Sequence, residues 1–346
     1  MLNLRFTLDL GWRAGRMHLT RSRERVGAYL ARRTMAAVPL LLGVLTLVFL
    51  LVQLAPGNPF RLEPASGVSR GAERTLRRAF EADRPLPTRY AIWLEGFLTG
   101  DLGTSYTYHR PVSALLREAA GNTLVLAGLA TLFQFLLGTA AGLLAAGSRR
   151  AWLDRALAGL SSLAYSVPSF WLGLVLVWIF SVRLGWLPVS QMHSIDAAEH
   201  SRAWRAVDFL RHLLLPCLAL TLPSAGGIAL YVREEVRARL GRPFARSARA
   251  RGIGERAVVL HALKSALLSL VNLLGLALPG ILGGSVVLEV LFAWPGMGRL
   301  AYQAVLAKDE PLVLGCAWVT SVLVVAGSML ADLLSAWVDP RTREAA

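Results

Sequence analysis

Arg242, Arg246, Arg249, Arg251, Arg256 and Lys264 crowd the stretch Gly241–Ser265, and only Glu255 opposes them. The chemistry open to such a stretch is recognition: guanidinium forks bond acceptors on another molecule in a fixed geometry. It is not nucleotide chemistry. A P-loop needs Gly-x-x-x-x-Gly-Lys-Ser/Thr, because backbone N–H groups and the lysine hold the phosphates. Lys264 precedes Ser265, but Val258 and Leu263 stand where the glycines belong, and the other lysine, Lys308, precedes Asp309. Any ATP used with this chain is therefore expected to be hydrolysed by a partner, and the chain itself is expected to carry no cofactor. No His-Glu-x-x-His, no Gly-x-Ser-x-Gly and no pair of acids lies within the apolar runs, which argues against an intramembrane enzyme. Glu289 and Asp332 stand at the edges of those runs, where solvation or capping is the simpler role. Cys217 and Cys316 lie inside apolar runs and read as small buried side chains. His193 and His200 share one loop without a further ligand cluster, so no metal site is expected.

The elements that must position the basic stretch are apolar. The chain has 346 residues, 55% of them hydrophobic, and a mean hydropathy of +0.50, too apolar for an ordinary soluble domain. Apolar runs long enough to span a bilayer cover Met35–Ala55, Thr123–Ala146, Ala156–Val182, Leu213–Val232, Ala266–Leu288 and Leu312–Ala331. None contains a charged residue, so helices are expected. Pro168, Pro216, Pro223 and Pro279 are candidates for bends, but no ionisable residue accompanies them at depth, unlike the sites of ion-coupled transporters. Gly138/Gly142 and Gly280/Gly284 have the spacing that lets helices approach closely, within one subunit more readily than between two.

A formal net charge of +15 would suggest nucleic acid in a soluble protein. Here the charge alternates between loops instead. Residues 1–33 hold eight arginines against Asp9 and Glu24; Gly147–Arg155 holds three against Asp154. The loops Leu187–Arg211 and Ala293–Pro311 are neutral, and the tail carries Arg341 and Arg343. The positive-inside rule then gives six helices with both termini cytoplasmic. The expected organisation is a basic cytoplasmic segment 1–34, a first span 35–55 and an external segment 56–118. A membrane core 119–338 with a cytoplasmic loop 233–264, and a tail 339–346, complete it. Leu2–Leu10 is a candidate for a short amphipathic surface piece, or part of a disordered basic tail. No signal peptide is expected. Within the cytoplasmic loop, Pro243 can start a short helix. Pro243–Arg251 is otherwise free of breakers, and Gly252 and Gly254 would end it.

Several phrases resemble one family. Ala248-Arg249-Ala250-Arg251-Gly252, followed by His261-Ala262-Leu263, resembles the coupling loop of ABC-importer permeases in the variant found among dipeptide, oligopeptide and nickel systems. The spacing from Gly252 to His261 is shorter than usual in that family, and Ser269 stands where proline is common. Leu54–Pro59, Gly100–Tyr106, Tyr165–Phe180, Arg183–Pro188, Leu288–Leu300 and Asp339–Arg343 continue the resemblance to the B-type permease of the pair, with Asn58 replacing the usual aspartate. The match runs from about Val26 to Arg343, in order. The resemblance implies an all-α polytopic membrane protein with six transmembrane helices, the ABC type I importer permease fold, in the bacterial inner membrane. It implies a heterodimer with a homologous second permease, two cytoplasmic ATPase subunits and an external solute-binding protein, all in a lipid bilayer and without nucleic acid. Its ATPase-coupling residues would be Phe244, Ala245, Ser247, Ala248, Arg249, Ala250, Arg251, Gly252, Ile253 and Glu255. Ala248 and Ala250 would permit close approach, and Arg249 and Arg251 would bond the partner. The cargo expected is peptides, with nickel complexes or other small solutes as the alternative within the family. A membrane scaffold subunit without a passage is the alternative outside it.

Overall fold

The computed structural model describes residues 32–54, 84–264, 270–271, 273–274 and 286–338. Among the described residues the chain is helical, with one isolated antiparallel bridge, Thr104 to Pro111, and no strand. In chain order the helices are α1 (Arg32–Leu54), α2 (Leu86–Thr99), α3 (Val112–Gly147), α4 (Ala151–Ser166) and α5 (Ser169–Leu176), which runs on as a π-helical segment Val177–Arg183. They continue with α6 (Arg202–Leu240), α7 (Pro243–Ala250), α8 (255–264), α9 (Val286–Leu291), α10 (Met297–Ala307) and α11 (Glu310–Val338).

α6 is the central helix. Its 39 residues and the 36 of α3 make rods of about 58 and 54 Å at 1.5 Å per residue, longer than the hydrocarbon layer of about 30 Å. Both extend past the apolar runs that mark them in the sequence. α6 continues through Arg233–Leu240, which the charge pattern assigned to a loop, and α3 begins at Val112, inside the expected external segment. Pro216 and Pro223 lie inside α6 without ending it.

Glycine brings α3 against α6. A Cβ on Gly138 would lie 2.7 Å from the Ile228 Cβ, and one on Gly142 2.6 Å from the Ala229 carbonyl oxygen. The spacing seen in the sequence therefore serves contact within the chain. Gly280 and Gly284 fall outside the described residues. On α6, a Cβ at Gly226 would lie 2.4 Å from the Ser161 carbonyl oxygen of α4, and one at Gly227 2.9 Å from the Tyr165 ring.

Among the described residues, four helices are long and apolar enough to cross a membrane: α1, α3, α6 and α11. The run Ala156–Val182, expected as one span, is a bent pair of helices, α4 and α5, meeting at 99°, and makes a fifth crossing if the pair is one broken span. The cause is local. Pro168 has no N–H to give, and proline pushes the residue before it out of the helical region; Val167 is extended at φ −85°, ψ 125°. Beyond the elbow, α5 packs with α6 and α9 through Leu176, Leu215, Ala219, Leu288 and Phe292. Most of the expected span Ala266–Leu288 falls outside the described residues.

Polar joints hold the end of the bundle opposite α7. Asp309 is fully buried and caps α11: one carboxylate oxygen accepts the Ser105 hydroxyl at 2.5 Å and the Thr107 N–H at 2.9 Å, the other the Leu312 N–H. Glu310 accepts from Gln53 of α1 at 2.6 Å and Arg89 of α2 at 2.5 Å. Burial, first, and Glu310, second, push the neighbouring Tyr106 phenol upward. Phe49 stacks on Trp93 and Trp93 on Phe97, which meets Trp318 edge to face, so that aromatic rings hold α2 between α1 and α11. Glu289 is not solvated at a span edge: it is fully buried and caps α10, accepting the Thr123 hydroxyl at 2.8 Å and the Arg299 N–H at 3.0 Å. At the other end of α1 and α11, Asp332 pairs with Arg33 at 2.9 Å.

Candidate functional site: the α7 turn

α7 begins with Pro243 in its first turn, where its missing N–H costs no helical bond. It ends in a double hydrogen-bonded cap. The Gly252 N–H donates to the Arg249 carbonyl at 2.9 Å, and the Ile253 N–H donates to the Ala248 carbonyl at 3.2 Å. This is the Schellman arrangement, which needs a left-handed residue just past the C-cap; Gly252 supplies it at φ +75°. Gly254 follows, and α8 starts at residue 255.

The two faces of α7 differ. Ala245 and Ala248 are buried and pack with Val258 of α8, flanked by Leu240 and Phe244. Ser247, Arg249, Ala250, Arg251, Gly252 and Ile253 are exposed. Ala248 packs on its own chain and also lines a cleft open to the surface; Ala250 is the exposed alanine of the pair. The reason is the i, i+3 spacing of Ala245 and Ala248, which places both on one side of a helix.

Arg249 is also engaged within the chain. Its Nε donates to one Glu255 oxygen at 3.0 Å and its Nη2 to the other at 2.7 Å. This fork ties the end of α7 to the start of α8 across the glycine turn. It holds the Glu255 carboxyl below its ordinary range and the Arg249 guanidinium above its own. Arg251 bends back to the Ser247 carbonyl at 3.3 Å. Beside the turn lies a cleft of about 390 Å³, lined by Phe244, Ala248, Ile253, Ala257 and Val258 and by Arg251 and His261. The surface is thus an apolar cleft among exposed cations, on a turn of fixed shape.

One cluster at this end was not assembled from the sequence. Asp154 of α4 accepts from Arg233 of α6 at 2.7 and 3.0 Å and pairs with Arg237 at 2.7 Å. Asp154 stood out only as the lone acid of a basic loop, and its partners lie 79 residues on and beyond. Elsewhere, His193 and His212 approach Asp208 at 3.4 and 3.3 Å, and Ser194 donates to it twice. His200 stacks on Trp204. No group of three or more metal-ligating side chains is disposed to hold an ion among the described residues.

Comparison with known proteins gives a family. Residues 138–344 match the family described as binding-protein-dependent transport system inner membrane component. The oligopeptide transport system permease protein AppB of Bacillus subtilis is 33% identical over 318 residues, covering 91% of this chain and 99% of that protein. A putative peptide transport system permease protein of Brucella abortus is 36% identical over 317 residues, with 91% and 99% covered. The dipeptide transport system permease protein DppB of Alkalihalophilus pseudofirmus is 30% identical over 334 residues, again with 91% and 99% covered. Among solved structures, a chain of the MetNI methionine ABC transporter in an inward-facing conformation aligns with a TM-score of 0.49 and 21% identity, over 66% of this chain and 97% of that one. The chain belongs to the inner-membrane components of binding-protein-dependent transport systems, multi-pass proteins of the bacterial plasma membrane.

Proposed function

We propose that the chain is one of two related permease subunits of an ATP-driven peptide importer and forms half of the passage. It has six membrane helices and both termini in the cytoplasm. Two ATPase subunits bind and hydrolyse the ATP, an external solute-binding protein delivers the peptide, and the chain itself is no enzyme and holds no cofactor. The α7 turn, Phe244 to Glu255, is where the ATPase engages it.

The observation that carries this reading is the α7 turn itself. It presents an exposed, cation-rich surface whose shape is set by a left-handed glycine and an internal ion pair. The likeness, over 91% of the chain, to permeases named for oligopeptides and dipeptides supports the cargo. An apolar cleft among arginines suits an apolar side chain flanked by carboxylates on the partner.

The test is reconstitution. The chain is placed in liposomes with its second permease, the ATPases and the binding protein, and uptake of labelled peptides is followed. ATP-dependent uptake that needs every component is expected. The purified chain alone is expected to hydrolyse no ATP; hydrolysis by it alone, abolished by replacing Lys264, overturns the assignment.

A further inference from the structure

Asp154 lies in the first turn of α4 with its side chain 8% exposed, and α6 sends two arginines to it. The Arg233 fork grips both carboxylate oxygens, at 2.7 and 3.0 Å, and Arg237 adds a bond of 2.7 Å to one of them. Arg233 also pairs with the adjacent Glu234. A two-pronged guanidinium–carboxylate pair fixes orientation as well as distance. Farther along the same two helices, Gly226 and Gly227 bring α6 against Ser161 and Tyr165 with no room for a Cβ. α4 and α6 are therefore held at two levels, by charge near α7 and by close packing deeper in the bundle.

The position of the charged level is what matters. Past Arg237, α6 ends at Leu240 and α7 begins at Pro243. Displacement of the α7 turn enters α6 at the level of Asp154. At the other end of α4 lies the 99° elbow, and beyond it α5 packs on α9, where a Cβ on Gly173 would lie 3.0 Å from Leu291.

We propose that Asp154, gripped by Arg233 and Arg237, is the joint that passes movement of the α7 turn into α4 and so to the elbow at Val167–Pro168. This rests on the reading of α7 as the place where the ATPase engages. Asp154 is a positioning residue: it touches neither peptide nor nucleotide. Without its carboxylate, Arg233 and Arg237 face each other with no shared counter-charge and α4 is held at the glycine level alone, so α6 can move without carrying the near end of α4.

The experiment uses the whole importer in liposomes and reads three quantities at matched membrane levels: ATPase capture, ATP hydrolysis, and peptide transported per ATP hydrolysed. For Asp154→Asn, capture and hydrolysis stay near wild type while transport per ATP falls about fivefold or more. The exchange Asp154→Arg with Arg233→Asp restores most of that ratio, because Arg237 remains beside the relocated carboxylate. Arg237→Gln, which leaves the Arg233 fork in place, lowers the ratio about twofold and decides the matter if Asp154→Asn does not accumulate. An unchanged ratio in Asp154→Asn or Arg237→Gln overturns the joint. So does loss of capture in parallel with transport, which would make the cluster a support for the docking surface only. Failure of the wild-type chain to capture the ATPase overturns the reading of α7 instead, a different result from any of these.

Discussion

Gly252 holds φ +75°, and a Cβ built on it would meet nothing within 4 Å. Substitution there is opposed by the backbone alone, which makes the site a clean test of shape. Valine, branched at Cβ, strains the left-handed conformation by about 1–3 kcal/mol. If docking needs this turn, ATPase capture falls about tenfold to a hundredfold, while Gly252→Asn, a residue tolerant of that region, falls far less. Equal capture by wild type and Gly252→Val would leave the turn as no more than a connection. The neighbouring fork makes a second prediction. Arg249→Ala and Glu255→Gln break the same pair, so their effects on capture are similar and the double variant is little worse than either one. The Glu255 carboxyl is held below its ordinary value of 4.5 by Arg249. A lowered carboxyl contributes fully above that ordinary value and is lost only as pH falls through the lowered one. Capture measured from pH 8 down to about 5 is therefore flat as far as this pair is concerned, and a decline across that window absent from Glu255→Gln contradicts the pairing. The glycine turn was legible in the sequence because it is local: proline at the start, a breaker-free stretch, glycine at the end. The Arg249–Glu255 pair was not, because a separation of six residues across a turn matches no helical spacing.

At the scale of elements, the chain is a central helix gripped on two sides by glycine. Gly226→Ala places a Cβ 2.4 Å from the Ser161 carbonyl, and backbone cannot rotate away as a side chain can. The helices must part, at a cost of about 1–3 kcal/mol. Gly121→Ala, in α3 with nothing within 4 Å of the new carbon, gains helix propensity and loses no contact. Thermal unfolding of the purified chain in detergent separates them: Gly226→Ala melts lower and Gly121→Ala does not. Equal melting temperatures would refute the tight α4–α6 contact. The Gly138/Gly142 spacing announced close packing, but Gly226 and Gly227 are adjacent and match no spaced motif, so their role was hidden. The elbow was half legible. Pro168 marked a break, yet the angle depends on what α4 and α5 pack against, and those partners, α6 and α9, are far away in sequence. Glu289 and Asp309 were harder still. Solvation and capping were both open to Glu289 at the edge of an apolar run, and its burial shows only once the fold brings Thr123 to it, as it brings Ser105 to Asp309.

At the scale of the whole molecule, charge and length bear on orientation together. The α7 turn and the Asp154 cluster put the arginines of α6, α7 and the α3–α4 connection at one end of the bundle. The opposite end carries paired charges: Arg89 with Glu310, and Arg110 with Glu118. Net positive loops stay in the cytoplasm during insertion, whereas balanced ones cross, so the α7 end is expected inside and the Asp309–Glu310 end outside. Single cysteines at Ser66 and Ser247 test this. The native Cys217 and Cys316, both buried among apolar side chains, are replaced first, so that each variant carries one thiol. In intact cells an impermeant thiol reagent labels Ser66→Cys and spares Ser247→Cys; in inside-out vesicles the pattern reverses. Labelling of both from one side would break the link between the arginine-rich end and the cytoplasm. The α7 turn would then face away from any cytosolic ATPase, however well its shape suited one.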